Sequence, residues 1–504
     1  VLDKISRRDV FVGAAALGGL AAAPPAGAEP GSIPFDSDTV RAIAKRLATK
    51  PYVPADASVP AKLADIDYSV YAKLQFQATK ALWRQDGLPF QVQFFPRGYL
   101  YRPRVDIFEV IGDRARPVAY APDLFANGGL DATSFPPDLG FSGFRLHAPI
   151  NDPDYEEFAV FQGASYFRAV ANGQIYGLSA RGLAIGSGEP HEEFPQFTTF
   201  WLERPAMGAR FLVIHALLDS PSLTGAYRFR IQPGAATVFD IDAVLYPRRD
   251  VANAGLAPMS SMFFLGDIDR YRMNDRLGAI HDSQGLEMWN GRGERLWRPL
   301  DNPPAQKIDA FADKHTRGFG LMQRDRRPDH YRDIQQYERR PSLWIEPQGD
   351  WGVGHVELLE ITSTDANADN MAAYWRRVAP LKAGSAQKLR YRMTWGRESP
   401  VEPKTARVYD TGRSGDQGRR FAIVFRSETP LDPAALSADV STTAGTVAKV
   451  EIAVLPQDPA YPGWSGIKLG FDLEAGQASQ AQLRAHLLQG GALASETWMY
   501  RWTR

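Results

Sequence analysis

The sequence predicts a mainly β protein built in two parts. Short runs rich in aromatic and β-branched residues recur at 90–95, 105–111, 157–161, 210–216, 226–231, 238–246, 262–265, 295–298 and 354–361. Turn formers separate them, with 44 Gly and 37 Pro in the chain. At 504 residues the chain is too long for one small core. Many short strands and few long helices point to a sandwich or a barrel.

The elements follow in order. Residues 1–28 read as a twin-arginine signal peptide. Ser6-Arg7-Arg8-Asp9-Val10-Phe11 supplies the arginine pair, an Ala- and Gly-rich run follows from Val12 to Ala23, and Ala26-Gly27-Ala28 offers a small-x-small cleavage site. That run is shorter than the ~20 residues a bilayer span needs, and no later stretch reaches that length, so the chain is not expected to span a membrane. Residues 38–48 read as a helix, with Asp38 as its cap and Val40, Ile43 and Leu47 on one stripe. From Tyr71 the signals turn to β, beginning with the partial alternation of 71–77. A polar, proline-bearing stretch at 396–406 marks a boundary. Beyond it come apolar runs at 421–425, 447–455, 466–473, 482–488 and 497–502, which suit a sandwich of the immunoglobulin type.

Composition narrows the chemistry. Lys+Arg and Asp+Glu are both 58, which argues against a nucleic-acid or anionic-surface partner. With 0 cysteines, disulfides, thiolate metal sites and thiol catalysis are excluded. There is no nucleotide-binding glycine loop, no HExxH and no GxSxG, and the 8 histidines lack ligand spacing, so no metal or cofactor is expected. Carboxylates, tyrosines and tryptophans remain. Glycoside chemistry needs that set: an acid for the leaving oxygen, and a base or nucleophile on the other face.

From about residue 160 a series of blocks resembles the periplasmic glucan biosynthesis family, the OpgG/OpgD or MdoG family. They are Ser165-Tyr166-Phe167-Arg168-Ala169-Val170, Tyr176 to Ile185, Glu192-Glu193-Phe194-Pro195, Phe200-Trp201-Leu202-Glu203 and Ser260 to Phe264. They continue with His281-Asp282-Ser283, Leu296 to Leu300, Arg317 to Leu321, Tyr337 to Trp344, Gly349 to Gly352, and Asp369-Asn370 leading into Ala373-Tyr374-Trp375. The leader resembles the D-type branch more than the G-type. The resemblance implies a galactose-mutarotase-like β-supersandwich over 29–396 and an immunoglobulin-like sandwich over 404–504. It also implies a periplasmic role in glucan synthesis, with β-1,2-glucan as ligand and the inner-membrane synthesis machinery as a possible partner. Members are similar to inverting β-1,2-glucanases, and some relatives transglycosylate. A non-catalytic glucan scaffold is the alternative, and a sugar epimerase ranks last, since fold alone does not give function.

Several residues are candidates for the site. Asp369 matches the family's general acid, although its own context also reads as a helix cap. Asp282 matches the block that supplies the base, although Asp282-Ser283-Gln284-Gly285 also suits a turn carboxylate. Relatives often have Asp where this chain has Gln284, which puts the proton path or a subsite in question. Tyr337 matches a tyrosine between the two acids, in a water-linked relay. Arg339 and Arg340 offer bonds to sugar hydroxyls or to a carboxylate, at least one of them as a structural ion pair. Trp289, Trp351 and Trp375 offer flat faces for glucose rings, against a competing reading as core.

Overall fold

The computed structural model describes residues 31–131, 134–272, 278–331, 335–401 and 404–504. The leader expected over 1–28 lies outside them. The protein is mainly β, as its alternating segments require. In the strand Thr237–Pro247, for example, alternate residues from Thr237 to Ala243 are fully buried, which fits one face on a core.

Two large sheets dominate. One has 16 strands and is built around the antiparallel run Gln196–Glu203, Leu212–Asp219, Leu223–Gln232, Thr237–Pro247 and Gln387–Gly396. The other has 10 strands and includes Val353–Glu360, Met371–Arg377, Ala254–Ser261, Tyr166–Ala169, Glu156–Gln162, Phe141–Ala148 and Gln91–Pro96. Phenylalanines fill the space between them. Phe144 meets Phe200 edge-on at 4.9 Å, Phe161 meets Phe229 at 5.4 Å, and Phe167 stacks on Phe239 at 5.7 Å. Offset and edge-on contacts are the favoured geometries of aromatic rings, so this seam fixes how the sheets face each other.

Helices are few. Thr39–Ala48 is the one predicted, and it buries Val40, Ile43 and Ala44 against the larger sheet. Asp38 stands at its N-cap without a side-chain capping bond; its carboxylate instead pairs with Arg41 at 3.0 Å. The β reading from Tyr71 is corrected at its start, since Tyr68–Tyr71 forms a helical turn capped by Asp67. A cap at Asp67 competes with weak alternation over a few residues and wins. No helix among the described residues is long and apolar enough to cross a membrane.

Past residue 404 the chain forms a smaller two-sheet layer. Arg407–Ser414, Arg420–Ser427, Ser465–Glu474 and Thr446–Leu455 make a 4-stranded sheet, whose Phe421 and Phe471 pack on Trp498. The opposing strands Thr497–Thr503, Gln480–Gln489 and Leu436–Thr442 are not separate: Thr497–Thr503 pairs in parallel with Arg295–Pro299, so they extend the 16-stranded sheet. Buried charges lock the same junction. Arg324 holds Glu496 through two bonds of 2.7 and 2.8 Å, Glu287 at 2.8 Å and the Val408 carbonyl at 2.6 Å.

Candidate functional site

The outer face of the ten-stranded sheet forms the floor of the site. Along Tyr166–Ala169, Phe167 and Ala169 are buried in the core, while Tyr166 and Arg168 look the other way and are half-buried. Register carries this face across the sheet, from Arg168 to Val160, then to Arg145 and Gln93. Polar groups line it. Arg145 pairs with Glu157 at 3.0 Å and covers Phe95, and Arg181 pairs with Glu192 at 2.8 Å while lying over Tyr166.

Asp369 stands at the edge of this floor. It ends the loop between Val353–Glu360 and Met371–Arg377, and the next residue fixes that loop. The buried Asn370 side chain accepts from the Phe263 N–H at 2.9 Å and donates to the carbonyls of Phe263 and Ile361 at 2.9 and 3.0 Å. Asp369 itself is exposed. Its carboxyl is nonetheless held above the ordinary aspartate range, because surrounding protein disfavours its charge more than Arg168 and Arg340 favour it. Asp369 is thus open to water on one side and faces desolvating protein on the other.

Asp282 lies close by and is buried. Arg340 Nη1 sits 2.8 Å from its Oδ1. Burial is the largest influence and pushes its pKa up to about 7, against the pull of Arg340 and with a further push from the charge of Asp369. The backbone places it: the Asp282 N–H donates to the Met262 carbonyl at 2.9 Å, and Ser283 Oγ meets Ser261 Oγ at 2.8 Å. Gly177 makes room for its partner, since a Cβ there would lie 3.0 Å from Arg340 Cδ. The arginine also lies over the Tyr337 ring, at 4.7 Å. Tyr337 is buried in the short helical turn Tyr337–Arg339. Gln323 secures it from below, donating to the carbonyls of His281 and Tyr337 at 3.0 and 3.1 Å.

The structure thus gathers Asp369, Asp282, Tyr337 and Arg340. It does not gather the others. Arg339 donates to the Gly173 carbonyl and to Gln336, so it ties down a loop. The three tryptophans are corrected as sugar platforms. Trp375 is fully buried on the core face of its strand, and Trp351 is buried edge-on to Tyr391. Trp289 is half-buried beneath the guanidinium groups of Arg295 and Arg317, at 4.3 and 5.1 Å. Core packing takes the rings of Trp375 and Trp351, and the two arginines cover Trp289. The helix-cap reading of Asp369 is also corrected, because Asn370 leads into a strand. Gln284 is a brace: its amide donates to the Tyr409 carbonyl at 2.7 Å and accepts from the Asp325 N–H at 3.2 Å, joining the C-terminal strands to the region behind Asp282.

Arg168 is the residue that sequence reasoning missed. It faces Asp369 and Asp282 from the groove floor, yet makes no hydrogen bond or ion pair with the described residues. Its only signal was strand parity inside a quoted block. Among the described residues, no group of three or more His, Asp or Glu side chains is arranged to hold a metal ion.

The chain matches a family model described as "Periplasmic glucan biosynthesis protein, MdoG" over residues 35–502. A protein named glucans biosynthesis protein G from Rhodopseudomonas palustris is 48% identical, covering 99% of this chain and 100% of its own length. One of the same name from Vibrio cholerae is 43% identical, covering 93% of this chain and 87% of its own length. These names are G-type, whereas the leader pointed to the D-type branch. A solved galactose mutarotase related enzyme from Lactobacillus acidophilus is 11% identical and covers 52% of this chain and 93% of its own, with a TM-score of 0.23, too distant to bear on function.

Proposed function

The chain belongs to the periplasmic glucan biosynthesis family, MdoG, and from that premise we propose that it acts on the β-1,2-glucan backbone as an inverting glycoside hydrolase or transglycosylase. The observation that carries this reading is the pairing of two unlike acids on one groove: an exposed Asp369 with a raised pKa, and a buried Asp282 held by Arg340. Two carboxyls whose surroundings differ are what an acid and a base require. Asp369 protonates the glycosidic oxygen as it leaves. Asp282 draws a proton from the attacking water or sugar hydroxyl, through Tyr337 and bound water. Arg168, with its donors uncommitted, binds sugar hydroxyls between them. On this reading residues 29–396 are the catalytic region, 404–504 an immunoglobulin-like accessory sandwich, and 1–28 the leader for twin-arginine export to the periplasm.

The purified protein, incubated with linear β-1,2-glucan, is expected to yield shorter chains carrying one added water each, or cyclic products without it. Chromatography and mass spectrometry separate the two. Bound but unchanged glucan would make the protein a non-catalytic guide for nascent chains.

The base has a pH signature. It works only when ionised, so kcat/KM rises with pH through about 7, the value to which Asp282 is pushed. Arg340 lowers that pKa, so Arg340→Gln moves the rising limb to higher pH. A limb that does not move in this variant counts against Asp282 as the base.

A further inference from the structure

A second aromatic surface lies outside the site just described. Tyr68, Tyr71, Tyr99 and Tyr101 form a contiguous cluster, with ring centroids 5.4–6.4 Å apart. Tyr71 is its buried root. Its hydroxyl donates to the Pro96 carbonyl at 3.0 Å and accepts from Gln162 at 2.8 Å, a residue on the groove floor. Tyr99 and Tyr101 are half-buried against this root, and Tyr68 faces outward. Tyr68 is 62% exposed, and Leu100 beside the cluster is 72% exposed.

The tip that carries Tyr99 and Leu100 is held rigid. Gly98 and Tyr101 bond each other's backbone at 2.8 and 3.2 Å, closing a two-residue turn. The Tyr99 N–H donates to the Leu63 carbonyl at 2.8 Å, and Arg102 Nε donates to the Tyr99 carbonyl at 2.9 Å. Tyr99 takes φ +53°, a left-handed conformation unusual for a bulky residue. Strain of this kind persists only where the surroundings fix it, and it clusters at ligand clamps. Tyr99 packs on Tyr71 at 6.0 Å, but folding alone gives no reason to present Leu100 to water beside the exposed ring of Tyr68.

The cluster is continuous with the groove. Gly163, just past the floor strand Glu156–Gln162, lies against Tyr101: a Cβ there would be in ordinary van der Waals contact with the ring, at 3.4 Å. Tyr101 in turn feels the charge of Arg168, which faces Asp369. The exposed ring of Tyr68 and the half-buried rings of Tyr99 and Tyr101, leading to an arginine with free donors, match the apolar faces and the hydroxyl rim of glucose rings.

We propose that Tyr68, Tyr99 and Tyr101 form an outer subsite that holds a stretch of the same β-glucan chain, reached past Arg168 from the reacting bond. The proposal rests on the glucan reading above. The subsite selects for chain length: a long glucan spans both the acids and the tyrosines, and a short oligosaccharide reaches only the acids.

The test is the double variant Tyr68→Ala/Tyr99→Asn. Asparagine tolerates positive φ, so the ring is lost without new backbone strain. Product formation and equilibrium binding are measured with long linear β-1,2-glucan and with short β-1,2-gluco-oligosaccharides. The preference for long over short chains, read as the ratio of kcat/KM values or of Kd values, is expected to fall about tenfold. Leu100→Asp should lower it as well, whereas Met207→Ser, an exposed apolar residue on the turn 206–209, should not. A wild type that handles glucan while the double variant keeps its full preference overturns the subsite alone. A wild type that neither binds nor converts β-1,2-glucan overturns the glucan reading and the subsite with it.

Discussion

Asp369→Asn is expected to lower turnover of β-1,2-glucan by about 10²–10⁴-fold, the range a positioned general acid supplies, while folding and glucan binding remain. The substitution keeps the size of the side chain but removes the proton the leaving oxygen needs. Folding should tolerate it because Asp369 is exposed and the loop is clamped by the neighbouring Asn370, not by Asp369 itself. Loss of turnover together with loss of binding would mean that the residue positions glucan instead of protonating it. Near-normal turnover would remove Asp369 as the acid.

Arg324→Met is expected to give the largest loss of stability, on the order of 3–5 kcal/mol, seen as an earlier midpoint in denaturant unfolding. Arg324 is buried with Glu287 and Glu496, and its guanidinium lies 3.8 Å from the centre of the Trp297 ring. Removing it leaves two carboxylates in the interior, with Arg295 as the remaining cation on Glu287 at 3.0 Å. Glu496 also accepts from the Val408 N–H at 2.9 Å, so the break falls where the C-terminal strands join the large sheet. The triple change Arg324→Met/Glu287→Met/Glu496→Met should recover much of the loss, because it removes the uncompensated charges along with the pairing. Failure of the single change to destabilise would show that water reaches the junction.

The mainly β architecture was legible from local signals. Alternation, aromatic and β-branched runs and turn residues report which backbone is favoured, and these forces act over a few residues. Asp369, Asp282, Tyr337 and Arg340 were legible in another way, as members of familiar blocks; the groove then brought together residues up to 87 positions apart in the sequence.

Other features depended on distance in space. Trp375 and Arg168 both sit on strands of one sheet, but only the packing of the second sheet makes one face core and the other groove. Composition could name tryptophan as a sugar platform, yet it cannot say which face of a ring is free. Gln284 looked like a change in the proton path and is instead a brace to Tyr409, 125 residues later. The boundary near 396–406 was read from proline and polarity, while the parallel pairing of Thr497–Thr503 with Arg295–Pro299 carries the large sheet past it. The sequence by itself determined strand content, because alternation and turn residues are written in neighbouring positions. The tertiary structure alone decided which arginine meets Asp282, which aromatics face water and how the two parts join, because burial and charge pairing are settled between segments far apart in the chain.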